Sequence, residues 1–252
     1  GLELFFFYTY IIVSFPLVYH YRVNFLSMLS LVYLPPIIYL MFRIKKDRLR
    51  YLVASIIAGF VVGYSIDLIL TINNVWFVNT LFSFRLLGGV PIEDLIWAFL
   101  IILFTILFYE YFFDQNQSIK KNPRENLLIS TSILLFFLVI SLFFIFPQIL
   151  IIKYVFFVSG FFIIFLIPFI IICFNKRYLK RFFPVAIFFF IHSLAFEFVS
   201  LSIGHWQFLG TEYIGIIELF GIRFPFEELI FWPVLLSTAC LAYYEYFYDF
   251  KK

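Results

Sequence analysis

Charge is scarce in this sequence. Only 13% of its 252 residues are Asp, Glu, Lys or Arg, while 64% are hydrophobic and the mean hydropathy is +1.05. That excludes a water-soluble domain, because surface shrinks too slowly with size to hide so much apolar material. Cysteine is scarcer still. Cys173 and Cys240 are the only two, both within or ending apolar runs, so buried free thiols are expected rather than a disulfide framework or a zinc site. His20, His192 and His205 lack metal-ligand spacing and are expected as structural hydrogen-bonding residues; no metal is expected. GxGxxG, phosphate-loop, HExxH and CxxC motifs are all missing. The net charge of +3 comes from clusters flanking apolar runs and gives no argument for nucleic acid as a partner.

What the sequence has in abundance is long apolar runs cut by short polar segments, which read as transmembrane helices. A membrane barrel would alternate in shorter segments. Eight spans are expected, near 3–21, 25–42, 51–72, 91–113, 127–147, 150–173, 182–203 and 225–247. The first is read as a span rather than a signal peptide, since no basic stretch or small-residue cleavage site accompanies it. With eight spans, 14 of the 18 basic residues fall on one side, in clusters at 43–50, 120–124, 176–181 and 251–252. The positive-inside rule makes that side cytoplasmic, along with both termini, in a cell-membrane protein.

The chain also repeats itself. "PIEDLIW" at 91–97 aligns with "PFEELIF" at 225–231, and "YEYFFD" at 109–114 with "YEYFYD" at 244–249. Asp67 precedes Trp76 by nine residues, and Glu197 precedes Trp206 by nine. Each half reads as four spans, so both insert in the same orientation. The expected architecture is an all-α membrane protein of two parallel four-helix repeats, 1–114 and 127–252, about a pseudo-twofold axis along the membrane normal. The polar stretch 115–126, "QNQSIKKNPREN", is the expected cytoplasmic linker.

Paired acids at the head of a span have an ordinary explanation. Pro suits the first helical position and acids suit the first turn. Ionisable groups at membrane depth are costly, however, and two matched sets argue for a site. Glu93, Asp94, Glu227 and Glu228 are therefore the candidate catalytic acids, with Asp67 and Glu197 as supporting acids near the same face. Adjacent helical residues point about 100° apart, so one of each pair faces a given point, and the sequence does not say which. A protonated acid beside an ionised one is what general acid–base chemistry needs. Arg85 and Arg223 are either partners of these acids or interface anchors. Trp76 and Trp206 are either membrane-interface residues or cavity walls. Glu110 and Glu245, inside "YEYF", read as interfacial within an aromatic belt. Aromatic residues make up 25% of the chain. Most suit packing and lipid contact, but their faces can also stabilise a cation.

"PIED" and "PFEE", each leading a span in duplicated halves, with an upstream acid and Trp and a trailing aromatic end, resemble the membrane-embedded lycopene cyclases in their fused form. The resemblance is sharpest over 64–114 and 194–249. It implies a cofactor-independent, non-redox cyclisation of a linear carotenoid such as lycopene, with no flavin. An acid protonates C2 of the terminal double bond, a cation forms at C1, the C5=C6 bond attacks it, and a base removes a proton. Glu93 and Glu227 are the leading candidates by motif, Asp94 and Glu228 their partners, and Trp76, Trp97, Trp206 and Phe231 the substrate-binding residues. The halves form one joint site or two similar ones. Asp94 stands where the second copy has Glu228, which implies unequal roles. Ring type and chain length stay open.

Two other readings compete. A carrier or carotenoid-binding scaffold would also suit parallel repeats bearing acids. An intramembrane prenyl-protein protease likewise begins with a Glu-Glu pair, but its expected Arg is Trp232 here and no His follows His205.

Overall fold

The protein, described by a computed structural model over residues 1–114, 122 and 124–248, is an all-α integral membrane protein. Eight helices are long and apolar enough to span a bilayer: α1 (Leu2–Tyr21), α2 (Phe25–Arg43), α3 (Arg48–Ile72), α4 (Ile92–Asp114), α5 (Arg124–Ile145), α6 (Val155–Phe174), α7 (Arg177–Ile203) and α8 (Phe226–Phe247). Two expected ends shift. The start of α6 is delayed by a 3₁₀ turn at Pro147–Leu150 and by Tyr154 in the left-handed conformation. The helix α7 begins five residues early, because its basic first turns continue the helix outward. Most of the linker, 115–121 and 123, lies outside the described residues, as does Asp249.

The halves interlock. The first helix of each packs on the third helix of the other, α1 on α7 and α5 on α3, while α4 and α8 meet at the centre. Two short strands, β1 (Phe77–Val78) and β2 (Trp206–Gln207), pair antiparallel with Phe77 opposite Gln207. Aligned on their Trp residues, those two positions are equivalents, so the pairing straddles a pseudo-twofold axis. Reciprocal contacts of this kind are the signature of a twofold interface. An unanticipated hairpin, β3 (Ile216–Leu219) and β4 (Ile222–Pro225), leads into α8. Its two-residue turn places Phe220 and Gly221 at positive φ, as such turns require.

The second motif contains a length change. The offset between copies is 134 at the leading Pro but 135 at the Tyr of "YEYF". The π-helical stretch Ile230–Leu235 takes up the extra residue, and Pro233 lies inside that widened turn. From there onward, Trp97 corresponds to Trp232, not to Phe231.

Glu110 and Glu245 are not interfacial. Both are buried at the basic end of the bundle. Tyr244 donates to Glu110 at 2.6 Å, Tyr51 donates to it at 3.3 Å, and Tyr109 donates to Glu245. The Tyr of each half thus serves the Glu of the other. The sequence reading erred because a Tyr facing lipid and a Tyr facing the bundle look alike in hydropathy. Cys173 also departs from expectation: it is exposed on the lipid-facing side, whereas Cys240 is partly buried.

Gly59 sets the α3–α4 distance. A Cβ there would lie 2.6 Å from the backbone of Phe99. Small residues at such crossings let membrane helices approach. Gly59→Val is expected to cost about 1–3 kcal/mol through overpacking, read as a lower unfolding temperature in detergent.

Candidate active site

The end of the bundle opposite the basic clusters carries the acids. There α3 and α7 finish, and α4 and α8 begin, so their polar residues converge. Asp67 and Asp94 from one half, and Glu197 and Glu228 from the other, line a single cavity of about 440 Å³. The remainder of its wall is almost wholly apolar and includes Trp76, Trp97, Trp206 and Trp232.

Each supporting acid is held by the indole nine residues downstream. Trp76 Nε1 donates to Asp67 Oδ1 at 3.2 Å, and Trp206 Nε1 donates to Glu197 Oε1 at 3.0 Å. Glu197 meets Glu228 carboxyl to carboxyl, and Asp67 lies near enough to Asp94 for their charges to interact. Asp67 Oδ2 and Glu228 Oε2 are buried with no hydrogen-bond partner among the described residues. Three of the indoles form one cluster, with Trp97 and Trp232 ring centres 5.4 Å apart at 87° and Trp76 6.5 Å from Trp232, while Trp206 reaches Trp97 through Phe196.

The motif acids divide by role. Asp94 and Glu228 face the cavity, whereas Glu93 and Glu227 are absent from its wall. Glu93 accepts from the backbone N–H of Leu81 at 3.0 Å and of Phe82 at 3.2 Å. Glu227 accepts from that of Ile214 at 2.5 Å. These carboxylates fasten the loops that roof the site. The 100° turn between neighbouring helical residues makes the division unavoidable. The leading position therefore passes from Glu93 and Glu227 to Asp94 and Glu228. Glu93→Ala is expected to speed proteolysis of the 79–90 loop several-fold, because a charge-assisted pair of hydrogen bonds is lost. Glu93→Gln, which keeps an acceptor, is expected to leave cleavage near its original rate.

Trp76, Trp97 and Trp206 are cavity walls. Phe231 is not: it is buried against Phe156 and Gly160, where an added Cβ would lie 2.2 Å from its ring. The π-helical insertion gives its place to Trp232, which the motif alignment concealed. Arg85 donates to the carbonyls of Val78 and Gly89 and makes no salt bridge among the described residues, although its charge reaches Asp67 and Asp94. Arg223 sits on β4 opposite Glu218. His205 Nε2 lies 2.8 Å from the Val23 carbonyl, and burial pushes this imidazole below its ordinary range. A neutral ring donating Nε2–H to that carbonyl fits the expected structural role. Among the described residues, no three His, Cys, Asp or Glu side chains are placed to share one metal ion.

Comparison with family models, curated proteins and solved structures returns no match. The functional reading rests on the site itself.

Proposed function

We propose that this protein is a membrane-embedded cyclase of linear carotenoids, lycopene being the representative substrate. One observation carries the reading: two matched acid pairs, each braced by an indole N–H, face a single apolar, Trp-walled cavity. Two neighbouring carboxyl groups in such surroundings disfavour both being charged at once, and Glu197 and Glu228, carboxyl to carboxyl, are placed to share one proton. One pair member donates that proton to C2 of the terminal double bond. The cation at C1 is met by indole faces in place of water. The C5=C6 bond closes the ring onto C1 and moves the charge to C5, and a carboxylate accepts a proton from a neighbouring carbon. One proton enters and one leaves, so the product is an isomer and no electron carrier takes part. Asp94 and Glu228 are assigned as the proton-transferring groups, Asp67 and Glu197 as their paired acids, and Glu93 and Glu227 as positioning residues that keep the roof shut against water. The resemblance of "PIED" and "PFEE" to the membrane lycopene cyclases supports the same reading. The basic clusters favour cytoplasmic termini, which puts the acid site near the outer face.

The test is expression in cells that accumulate lycopene, followed by chromatography of the extracted pigments. Monocyclic or bicyclic carotenes are the expected result, and their spectra identify the ring. Unchanged lycopene, with the protein present in the membrane, would overturn the cyclase reading and favour a carrier or binding role.

A further inference from the structure

The cavity does not stop at the acids. Its wall continues through Ala58 of α3, Ser132 of α5, Ile164 of α6 and Ala239 of α8 to Tyr244, near the basic end. From Glu228 to Tyr244 is roughly 25 Å at 1.5 Å per helical residue, most of the depth of a bilayer's hydrocarbon core. A volume of about 440 Å³ over that length makes a narrow tube, not a chamber.

A pseudo-twofold axis demands a second tube, and its location is occupied. Aligning Asp67 with Glu197 places Phe188 opposite Ala58 and His192 opposite Val62. Aligning Trp97 with Trp232 places Phe104 opposite Ala239. Phe104, Phe188 and His192, with Phe7 of α1, line the matching void, which is too small for a water molecule. Phe108 and Phe188 stack behind it at 4.2 Å and 17°, with Phe189 5.0 Å from Phe104. Large rings fill one side where Ala and Val leave the other open.

The flanking helices break symmetry in the same sense. Helices α1 and α2 pack together, but α5 and α6 scarcely touch beyond the 3₁₀ turn that joins them. Thus α5, the least buried of the eight helices, stands away from α6 where the tube runs between them.

We propose that the tube between α3, α5, α6 and α8 holds one long linear polyene, admitted sideways from the bilayer between α5 and α6. The phenylalanine-filled counterpart holds none, so both acid pairs serve a single bound chain end. This deepens the cyclase reading and takes only the ligand's identity from it. A lipid acyl chain shares the same chemistry of a long hydrocarbon. What favours a polyene is the closed end, where four indoles and four carboxyl groups would be wasted on a saturated tail.

The test uses the full chain in nanodiscs with lycopene as the probe. Quenching of tryptophan emission reports binding, since four indoles surround the closed end. One lycopene per chain is expected at saturation. Ala58→Phe and Ala239→Phe, which copy the plug residues Phe188 and Phe104, are each expected to weaken binding at least tenfold. Matching unfolding temperatures would establish that the variants fold, and the substituted rings have the tube to occupy. Ser132→Trp, between α5 and α6, is expected to slow the approach to saturation while changing the final amplitude less. Two lycopenes per chain, unaltered binding in both Phe variants, or phospholipid that lycopene cannot displace would each overturn the proposal. Binding that is lost in the Phe variants, without any ring formed in cells, would uphold the tube and reject the cyclase. Rings formed equally well by both Phe variants would do the reverse.

Discussion

Asp94→Asn and Glu228→Gln are each expected to cut ring formation by about 10²- to 10⁴-fold, the range for removal of a general acid or base. Both substitutions keep shape and remove only the ability to donate and accept a proton at a reacting carbon. The fold should persist, because neither group is an anchor for a loop, unlike Glu93 and Glu227. Pigment ratios in lycopene-accumulating cells, normalised to protein in the membrane, give the measurement. The double variant is informative as well. If the two pairs act on one chain end within one turnover, it should lose little more than either single variant, as for residues that work as a unit. Wild-type activity in both single variants would remove the acid–base assignment. Near-complete loss in Glu93→Gln and Glu227→Gln, with Asp94→Asn and Glu228→Gln active, would return the leading role to the other member of each motif.

The second large effect concerns stability. Glu110→Leu is expected to destabilise the folded bundle by about 1–3 kcal/mol, the usual cost of removing the acceptor from buried hydrogen bonds. Tyr51 and Tyr244 both donate to this carboxyl group, and the substitution deprives two buried hydroxyls of that acceptor together. The partner substitutions separate polar satisfaction from packing. Adding Tyr51→Phe and Tyr244→Phe to Glu110→Leu removes the two hydroxyls that lose this acceptor and should recover part of the loss. Unfolding temperature in detergent, followed by gel filtration, checks both statements. A Glu110→Leu protein as stable as the original would mean that the exchange of Tyr and Glu between halves contributes little to holding them together.

Hydropathy made the spans legible, since each needs its own apolar run and the runs are well separated. It could not resolve Tyr154 or the early turns of α7, where local backbone conformation sets the end. Duplication made the acids legible as a set. It could not say that Asp94 and Glu228 face inward, because motif spacing fixes a helix position and leaves its rotation open. The one-residue π-helical insertion hid Trp232 behind Phe231, since an alignment without gaps pairs Phe231 with Trp97. Glu110 and Glu245 were misread for a different reason: aromatic residues beside an acid look the same at an interface and in a buried network. The open tube was written in the sequence as Ala58 and Ala239 against Phe188 and Phe104, but only the packing of the helices gives those pairs a shared meaning.

The exchange of helices between halves has a consequence for biogenesis. At ~5–20 residues per second, roughly ten to thirty seconds of synthesis separate the completion of α1 from the first residues of its partner α7. During that interval α1 must reside in lipid without its final neighbour. Its composition suits this: it is apolar on nearly every face, with Glu3 in its first turn, at the basic end of the bundle, as the only acid. A polar substitution on the face of α1 that later meets α7 would therefore act first on the nascent chain, as a failure of integration by the translocon, before any native contact existed to be lost.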